Sequence, residues 1–270
     1  MSSAEEHRPI HPTAIVEAGA EIGKNVTIGA YSLVGAKVKI GDNCVLKSHV
    51  VMEGNLSVGK NNTFFQFSSI GAPPQDLTYK GEETRVEIGD NNLFREYVSI
   101  HRGTLKEKGL TKIGSHCMLM AYVHIGHDVT IGDHCIMANS VNLAGHVKIG
   151  EKVIIGGGCN ISQFVSLGRG SYIGGASAID KDVPLFCTAY GNRVRLKGVN
   201  IIGLRRHGLS KPAISEVVDF FRTMEESALS PRAFIDHEEL MKEFSGNDII
   251  KEMAQTIRSS EVGLAPFFKA

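Results

Sequence analysis

The chain has 270 residues, enough to bury a large core, and its 29 Lys plus Arg balance 29 Asp plus Glu. Zero net charge gives bulk electrostatics no reason to favour nucleic acid or an anionic membrane, and no apolar stretch approaches the length of a membrane span. The opening MSSAEEHRPIHP has acids and no apolar run, so no secretory signal is expected and the protein reads as cytoplasmic, without stable membrane insertion.

From Ile10 onward an apolar residue recurs at every sixth position: Ile10, Val16, Ile22, Ile28, Val34, Ile40 and so on to Ile70. The beat returns at Ile88, Phe94 and Ile100, then runs from Ile113 to Ile179. Glycine often follows the anchor, and the fifth hexad position is small or β-branched, as in Ala20, Val26, Ser32, Val38 and Val129. A period of six suits neither an amphipathic helix nor a hairpin meander. It predicts a mainly β protein, a parallel β-helix in which three hexads make a triangular coil. Anchor and fifth-position residues point inward and the residue between them points out. The glycine is expected where a side chain would strain the turn. Four of five cysteines (Cys44, Cys117, Cys135 and Cys159) fall on the fifth position and read as small core residues, a usage that fits a reducing compartment.

The beat breaks twice, predicting loops over 71–87 and 101–112; the second also shifts the phase by one residue. Insertions in solenoids collect on one face and often build the binding site, and the polar runs QDLTYKGEE and IHRGT favour that role here. The β-helix is expected to occupy 1–190. Beyond Asp182-Val183-Pro184 the pattern changes, and 191–270 reads as a C-terminal helical domain that caps the coil. One helix opens at Ser210 as N-cap, another at Ser230-Pro231 carrying Phe234, Ile235, Leu240 and Met241, and a third spans roughly 248–257.

Six of the histidines, from His101 to His146, crowd into the middle of the chain. Ile125, Leu143 and Ile161 are one coil apart, so His127, His146 and Gln163, two or three residues further on, are expected to line one corner of successive coils, with His124 just before it. A neutral imidazole suits general base work near physiological pH. Asp128 follows His127 and is placed to orient the ring, and Gly145 offers an unobstructed N–H as an oxyanion donor. From Pro184 to Ser215 there is no acid, yet the segment holds Arg193, Arg195, Lys197, Arg205, Arg206 and Lys211, a field suited to phosphates or an acidic partner.

The segments SIGAPPQDLTYKGEETRVEIGDNN, VSIHRGT, VHIGHDVTIG, LAGHVKIG and GVNIIGLRRHG resemble the acyl-carrier-protein–UDP-N-acetylglucosamine O-acyltransferases, which begin lipid A biosynthesis in Gram-negative bacteria. The resemblance covers the whole chain. It implies a left-handed coil, a homotrimer with active sites between subunits, and transfer of a 3-hydroxyacyl group from acyl carrier protein to the 3-position of the UDP-amino sugar. The donor is the phosphopantetheine thioester of the carrier; no metal or other cofactor is implied. Residue by residue, His127 matches the base, His124 and His146 its supporting histidines, and Gly145 the oxyanion glycine. Gln75 and Asp76 match positions near the sugar nucleotide, as do Gln163, Asn200 and Arg206 for the nucleotide; His101 lies in the IHRGT motif, and Gly175 matches the position limiting acyl length. Thr78 stands where the family commonly has lysine, with Lys80 close by, and Ser162, Arg193, Ile202 and His207 are further departures. Two alternatives are a hexapeptide zinc enzyme of the carbonic anhydrase type, with His124, His127 and His146 as ligands, and a non-catalytic β-helix assembly subunit. A related N-acyltransferase carries an extra N-terminal uridine-binding domain, for which hexads starting at Ile10 leave no room.

Overall fold

A computed structural model describes residues 9–268. The first eight residues, which the reading of the N-terminus also covered, lie outside the described residues. The chain forms two compact units, Met1–His134 and Cys135–Ala270.

In the first unit most strands are two residues long, separated by tight corners, and they stack in parallel into three sheets. Ile15 pairs with Leu33, Thr27 with Val45 and Leu33 with Val51, each eighteen residues on, which is the three-hexad coil. From Val26 onward the anchors and fifth-position residues of this unit are buried, as Val26, Ile28, Val34, Val38 and Ile40 illustrate. Ile10 stays exposed and Val16 and Ile22 are only half-buried, because they belong to the first coil. Inside the coil, the Phe64 and Phe94 rings stack at 4.6 Å.

The glycine after the anchor serves a purpose other than the expected turn. At Gly41 the backbone is not left-handed, and an added Cβ would lie 2.6 Å from the Gly59 carbonyl oxygen of the next coil. Close approach of stacked backbones, rather than a positive φ, selects glycine there. The left-handed residue comes two positions later, at Asn25, Asn43, Asn61 and Asn91. Asparagine tolerates that conformation, and these four amides link into a ladder at 3.1–3.2 Å.

Both insertions are shorter than the broken beat suggests. Ser69–Ala72 and Arg85–Ile88 are strands flanking one, Ser99–His101 and Leu110–Ile113 the other. Ser69–Ala72 pairs with Ser99–His101, and Arg85–Ile88 with Leu110–Ile113. The loops therefore leave one sheet and enter the next at the same corner of successive coils.

The second unit continues the same style of strands and carries the helices. Asn142 pairs with Asn160 and Asn160 with Ala178, again eighteen residues apart. Cys187–Tyr190 joins the parallel stack and then pairs antiparallel with Arg195–Val199, so strand extends past 190. Helix α1 (Ile201–Arg206) was not anticipated; Asn200 caps it by accepting from Gly203 N–H. Helix α2 (Lys211–Glu226) starts at Ser210 as expected and buries Ile214, Val217, Phe220, Phe221 and Met224. The helix expected from Ser230 is broken into α3 (Pro231–Ile235) and α4 (Glu238–Lys242), with Asp236 closing the first and His237 opening the second. Helix α5 (Asp248–Arg258) closes the set. The helices are tied down by Arg169, which holds Glu252 through a two-pronged ion pair, and by Asp182, which accepts from Ser166 N–H and Ser260 Oγ. All five cysteines are buried thiols, the four fifth-position ones among them.

Candidate active site

The two insertions and the corner after Ile125 are neighbours in the first unit. Ser99 and Ile100 pair with His124 and Ile125, and Lys112 and Ile113 pair with Thr130 and Ile131. His127 and Asp128 thus sit at the corner from which the 101–112 insertion springs one coil earlier.

Asp128 adopts a left-handed backbone, φ 60°, which an aspartate tolerates. Its N–H donates to Thr111 Oγ1 at 2.9 Å. This turn bends the carboxylate back toward the preceding ring, and His127 Nδ1 lies 2.9 Å from Asp128 Oδ2. The two adjacent side chains therefore converge. A carboxylate can only accept, so the Nδ1 that faces it carries a proton, and in the neutral ring the lone pair is then on Nε2. The Asp128 side chain is fully buried, and His127 is only 6% exposed. Buried charge needs partners, and Thr104 supplies them: its N–H donates to both carboxylate oxygens at 2.8 and 3.0 Å, and its hydroxyl donates to Oδ2 at 2.7 Å.

His124 and His101 form a second pair in this unit. His124 Nδ1 lies 2.8 Å from Ser99 Oγ, and the two imidazoles meet edge to face at 5.2 Å. Burial, reinforced by the charge of His101, pushes the His124 imidazole below its ordinary value, so it is neutral near pH 7. His101 donates from Nδ1 to the Pro73 carbonyl at 2.6 Å, which anchors the other insertion. Arg102 holds that insertion too, donating to the Gly71 carbonyl and to Tyr79 Oη.

Gln75 is exposed at the tip of the insertion. Asp76 is not open: Lys106 Nζ approaches one oxygen at 2.5 Å, and Thr78 donates N–H and hydroxyl to the other at 2.7 Å. Lys106, then Thr78, holds the Asp76 carboxyl well below the usual carboxylate range. Lys106 comes from the second insertion, so an ion pair bridges the two loops.

In the second unit, Gly145 and His146 are buried, and His146 takes a left-handed φ of 65°. Its ring stacks on Phe164 at 4.5 Å. Phe164 is also left-handed, so His146 shares its corner position with Phe164 and not with Gln163, which is exposed beside it. Gly175 is exposed at a corner, as read from its place after Ile173. Asn200 uses both ends of its amide within the protein, capping α1 and donating to the Gly170 carbonyl at 2.9 Å. Arg206 is exposed in the last turn of α1. In the basic segment, Arg193 pairs with Asp180 and Lys197 lies over the Tyr190 ring, while Arg205 and Arg206 extend outward.

Thr104, Thr111, Ser99 and Lys106 had not been singled out from the sequence. The one available signal was the threonine of IHRGT, a polar residue just before the exposed 105–108 run.

Comparison with known proteins gives the chain's family. A family model described as UDP-N-acetylglucosamine O-acyltransferase, domain 2, matches residues 182–265, and one described as bacterial transferase hexapeptide (six repeats) matches 19–54 and 110–145. An acyl-[acyl-carrier-protein]–UDP-N-acetylglucosamine O-acyltransferase from Saccharophagus degradans is 45% identical over 255 residues, covering 94% of this chain and 98% of the relative. The chain belongs to that acyltransferase family. A second relative of the same name, from Thermodesulfovibrio yellowstonii, is 46% identical over 227 residues, covering 84% of this chain and 88% of its own length. Among solved structures, LpxA from Acinetobacter baumannii superposes with a TM-score of 0.92 at 45% identity, covering 96% of this chain and all of its own. The Arabidopsis UDP-N-acetylglucosamine acyltransferase superposes at 0.80 and 31% identity, covering 95% of this chain and 99% of its own. With family membership comes the hand of the coil, a left-handed parallel β-helix.

Proposed function

We propose that this protein transfers a 3-hydroxyacyl group from acyl carrier protein to the 3-hydroxyl of UDP-N-acetylglucosamine, the first step of lipid A biosynthesis. The observation that carries the base assignment is the 2.9 Å contact of His127 Nδ1 with Asp128, which puts the lone pair of the neutral ring on Nε2. In the proposed reaction Nε2 takes the proton of the sugar hydroxyl, and the oxygen attacks the thioester carbonyl. Asp128 steadies the imidazolium that forms. The Gly145 N–H, one coil further in sequence, stabilises the oxyanion. Collapse of the tetrahedral intermediate forms the ester C–O bond and breaks the C–S bond, and His127 returns its proton to the departing carrier thiolate.

His124 and His146 support this site in the reading, and His101 holds the Pro73 end of the sugar-nucleotide loop. Gln75, Asp76, Gln163, Asn200 and Arg206 are read as sugar-nucleotide contacts, and Gly175 as the limit of the acyl groove. Among the described residues no helix is long and apolar enough to cross a membrane. The cytoplasm, where acyl carrier protein works, is the proposed compartment. A homotrimer is the proposed assembly, with the basic 184–215 segment facing the acidic carrier. Membership of the acyltransferase family disfavours both the zinc-enzyme and the assembly-subunit alternatives.

The test is the purified protein with a panel of 3-hydroxyacyl carriers and UDP-N-acetylglucosamine, or its 3-amino analogue, with products read by mass spectrometry. His127→Ala should lower turnover by roughly a hundred- to ten-thousandfold, the usual worth of a general base. Near-native turnover would remove His127 from the role.

A further inference from the structure

We infer that Thr104 is a positioning residue for the catalytic base, and that the 102–109 segment exists to deliver it. The inference rests on the reading of His127 as base. Asp128 is a fully buried carboxylate whose two oxygens receive three contacts from two donors of Thr104: N–H shared between Oδ1 at 2.8 Å and Oδ2 at 3.0 Å, and Oγ1–H to Oδ2 at 2.7 Å. Oδ2 is the same atom that accepts the hydrogen bond from His127 Nδ1. The Thr104 hydroxyl is therefore one hydrogen bond removed from the ring, and it fixes the plane in which the carboxylate meets that ring. A carboxylate free to rotate about its last bond would present Oδ2 to Nδ1 only part of the time. Thr104 removes that freedom, in a site only slightly exposed to solvent, where charge-assisted hydrogen bonds are strong.

The local backbone is built around this contact. A Cβ at Gly103 would lie 2.1 Å from Leu110 N and 2.8 Å from Asp128 Oδ1, so only glycine lets the chain pass this close to the carboxylate. Gly109, left-handed at φ 63°, donates its N–H back to the Thr104 carbonyl at 3.0 Å and closes the segment on itself. Thr104 is 4% exposed although the four residues after it are all exposed, so the loop turns one polar side chain inward while its tip faces solvent. Thr111, at the end of the same insertion, accepts the Asp128 N–H and fixes the carboxylate's own backbone. One insertion thus sets both ends of Asp128.

The experiment compares Thr104→Val, which keeps the shape and removes the hydroxyl, with Thr104→Ser, which keeps the hydroxyl. Thr104→Ala stands in if the valine variant fails to fold. The Val or Ala variant should lose about ten- to a hundredfold in kcat, the range for one hydrogen bond to a charged group, with KM for the sugar nucleotide within about twofold of native. The Ser variant should stay within about threefold of native kcat, a rescue that loss of packing alone would not give. Because Thr104 acts through the ring, removing its hydroxyl in a His127→Ala background should cost nothing further. Native kcat in the Val and Ala variants, a Ser variant as slow as Ala, or the same fold-loss in the His127→Ala background would each overturn the inference. A His127→Ala enzyme that keeps its turnover would instead overturn the base assignment itself, so the two failures are separable.

Discussion

Replacing Asp128 by Asn should cost more activity than its near-identical shape suggests, because the amide forces a choice between two hydrogen-bond patterns. The carboxylate accepts from Thr104 N–H on both oxygens, and from Thr104 Oγ1 and His127 Nδ1 on Oδ2. An amide has one oxygen and one NH2. With the oxygen at the Oδ2 position, His127 keeps its Nδ1 proton and Thr104 N–H keeps its 3.0 Å contact, but the NH2 faces that N–H across 2.8 Å, donor against donor, and has no acceptor there. With the oxygen at the Oδ1 position, Thr104 N–H is satisfied and its hydroxyl rotates to accept. The NH2 then donates to His127 Nδ1, and the ring must carry its proton on Nε2, the atom the base needs free. The first arrangement leaves a buried donor unpaired at about 1–3 kcal/mol, so the second dominates and the competent tautomer falls to roughly one part in five to one in 150. Loss of imidazolium stabilisation adds to this, and together they should lower kcat by about a hundred- to ten-thousandfold, the upper figure being that of a mis-set tautomer in a hydrolytic triad. Asp128→Ala empties the corner and leaves the Thr104 and His127 donors without an acceptor, which costs about 3–5 kcal/mol in a buried pair and should show as a clearly lower melting temperature. The assay is kcat at saturating carrier and sugar nucleotide, with a thermal melt of each variant. An Asn variant within about threefold of native kcat would show that Asp128 does not set the His127 tautomer.

Other outcomes follow from the same geometry. Gly175→Met should shift donor preference to shorter 3-hydroxyacyl chains: a Cβ there meets the Gly157 oxygen at 3.1 Å, tolerable with a small adjustment, and the side chain projects from an exposed corner. At about 0.8 kcal/mol per buried methylene the native length preference should be steep, and an unaltered kcat/KM profile across graded donors would place the end of the groove elsewhere. Activity should survive chelation and dialysis; zinc at one equivalent per site by elemental analysis, with turnover lost on its removal, would turn the reading toward the zinc alternative. His124 has a lowered pKa in the fold, so folding favours its neutral form. That stability is present in full above the ordinary imidazole value of about 6.5 and is lost as pH falls through the lowered one, so thermal melts of His124→Gln should depend less on pH below 6.5 than native ones. Parallel pH curves for the two proteins would count against a perturbed His124.

The fold was legible because a β-helix writes its period into the chain. A six-residue beat of Ile28, Val34 and Ile40 leaves no other way to bury every anchor, and burial follows it residue by residue from Val26 onward. Helix starts at Ser210 and Ser230 were legible because a serine before proline is a local signal, and both serines accept from the N–H three residues on. The break between α3 and α4 was not, since Phe234, Ile235, Leu240 and Met241 keep an apolar rhythm across it. Nor was α1: Asn200 was read through its resemblance to a nucleotide-binding position, and its capping bond to Gly203 depends on backbone geometry that no spacing reveals. Among the site residues, His127 was found by coil arithmetic and Asp128 as its neighbour in sequence. The reading grouped His146 with Gln163 at one corner, but the eighteen-residue period aligns His146 with Phe164, and those two rings stack.

The insertions mark where reading along the chain runs out. A lysine absent at position 78 invites a search among neighbours in sequence, and Lys80 is the nearest. In the structure the cation beside Asp76 is Lys106, thirty residues on, at 2.5 Å. It arrives there because both insertions leave and re-enter the same pair of sheets one coil apart, Ser69–Ala72 against Ser99–His101 and Arg85–Ile88 against Leu110–Ile113. In a stacked coil, proximity runs across the repeat and not along it, so a charge lost from one loop is replaceable from the loop above. The same short segment then faces two ways: Lys106 reaches the loop read as holding the sugar nucleotide, and Thr104, two residues before it, holds the carboxylate behind the base. A change in the length of 102–109 would move both contacts at once. That shared dependence is a physical reason for this corner to have a fixed insertion, where the next coil, from Ile125 to Thr130, manages with a four-residue turn.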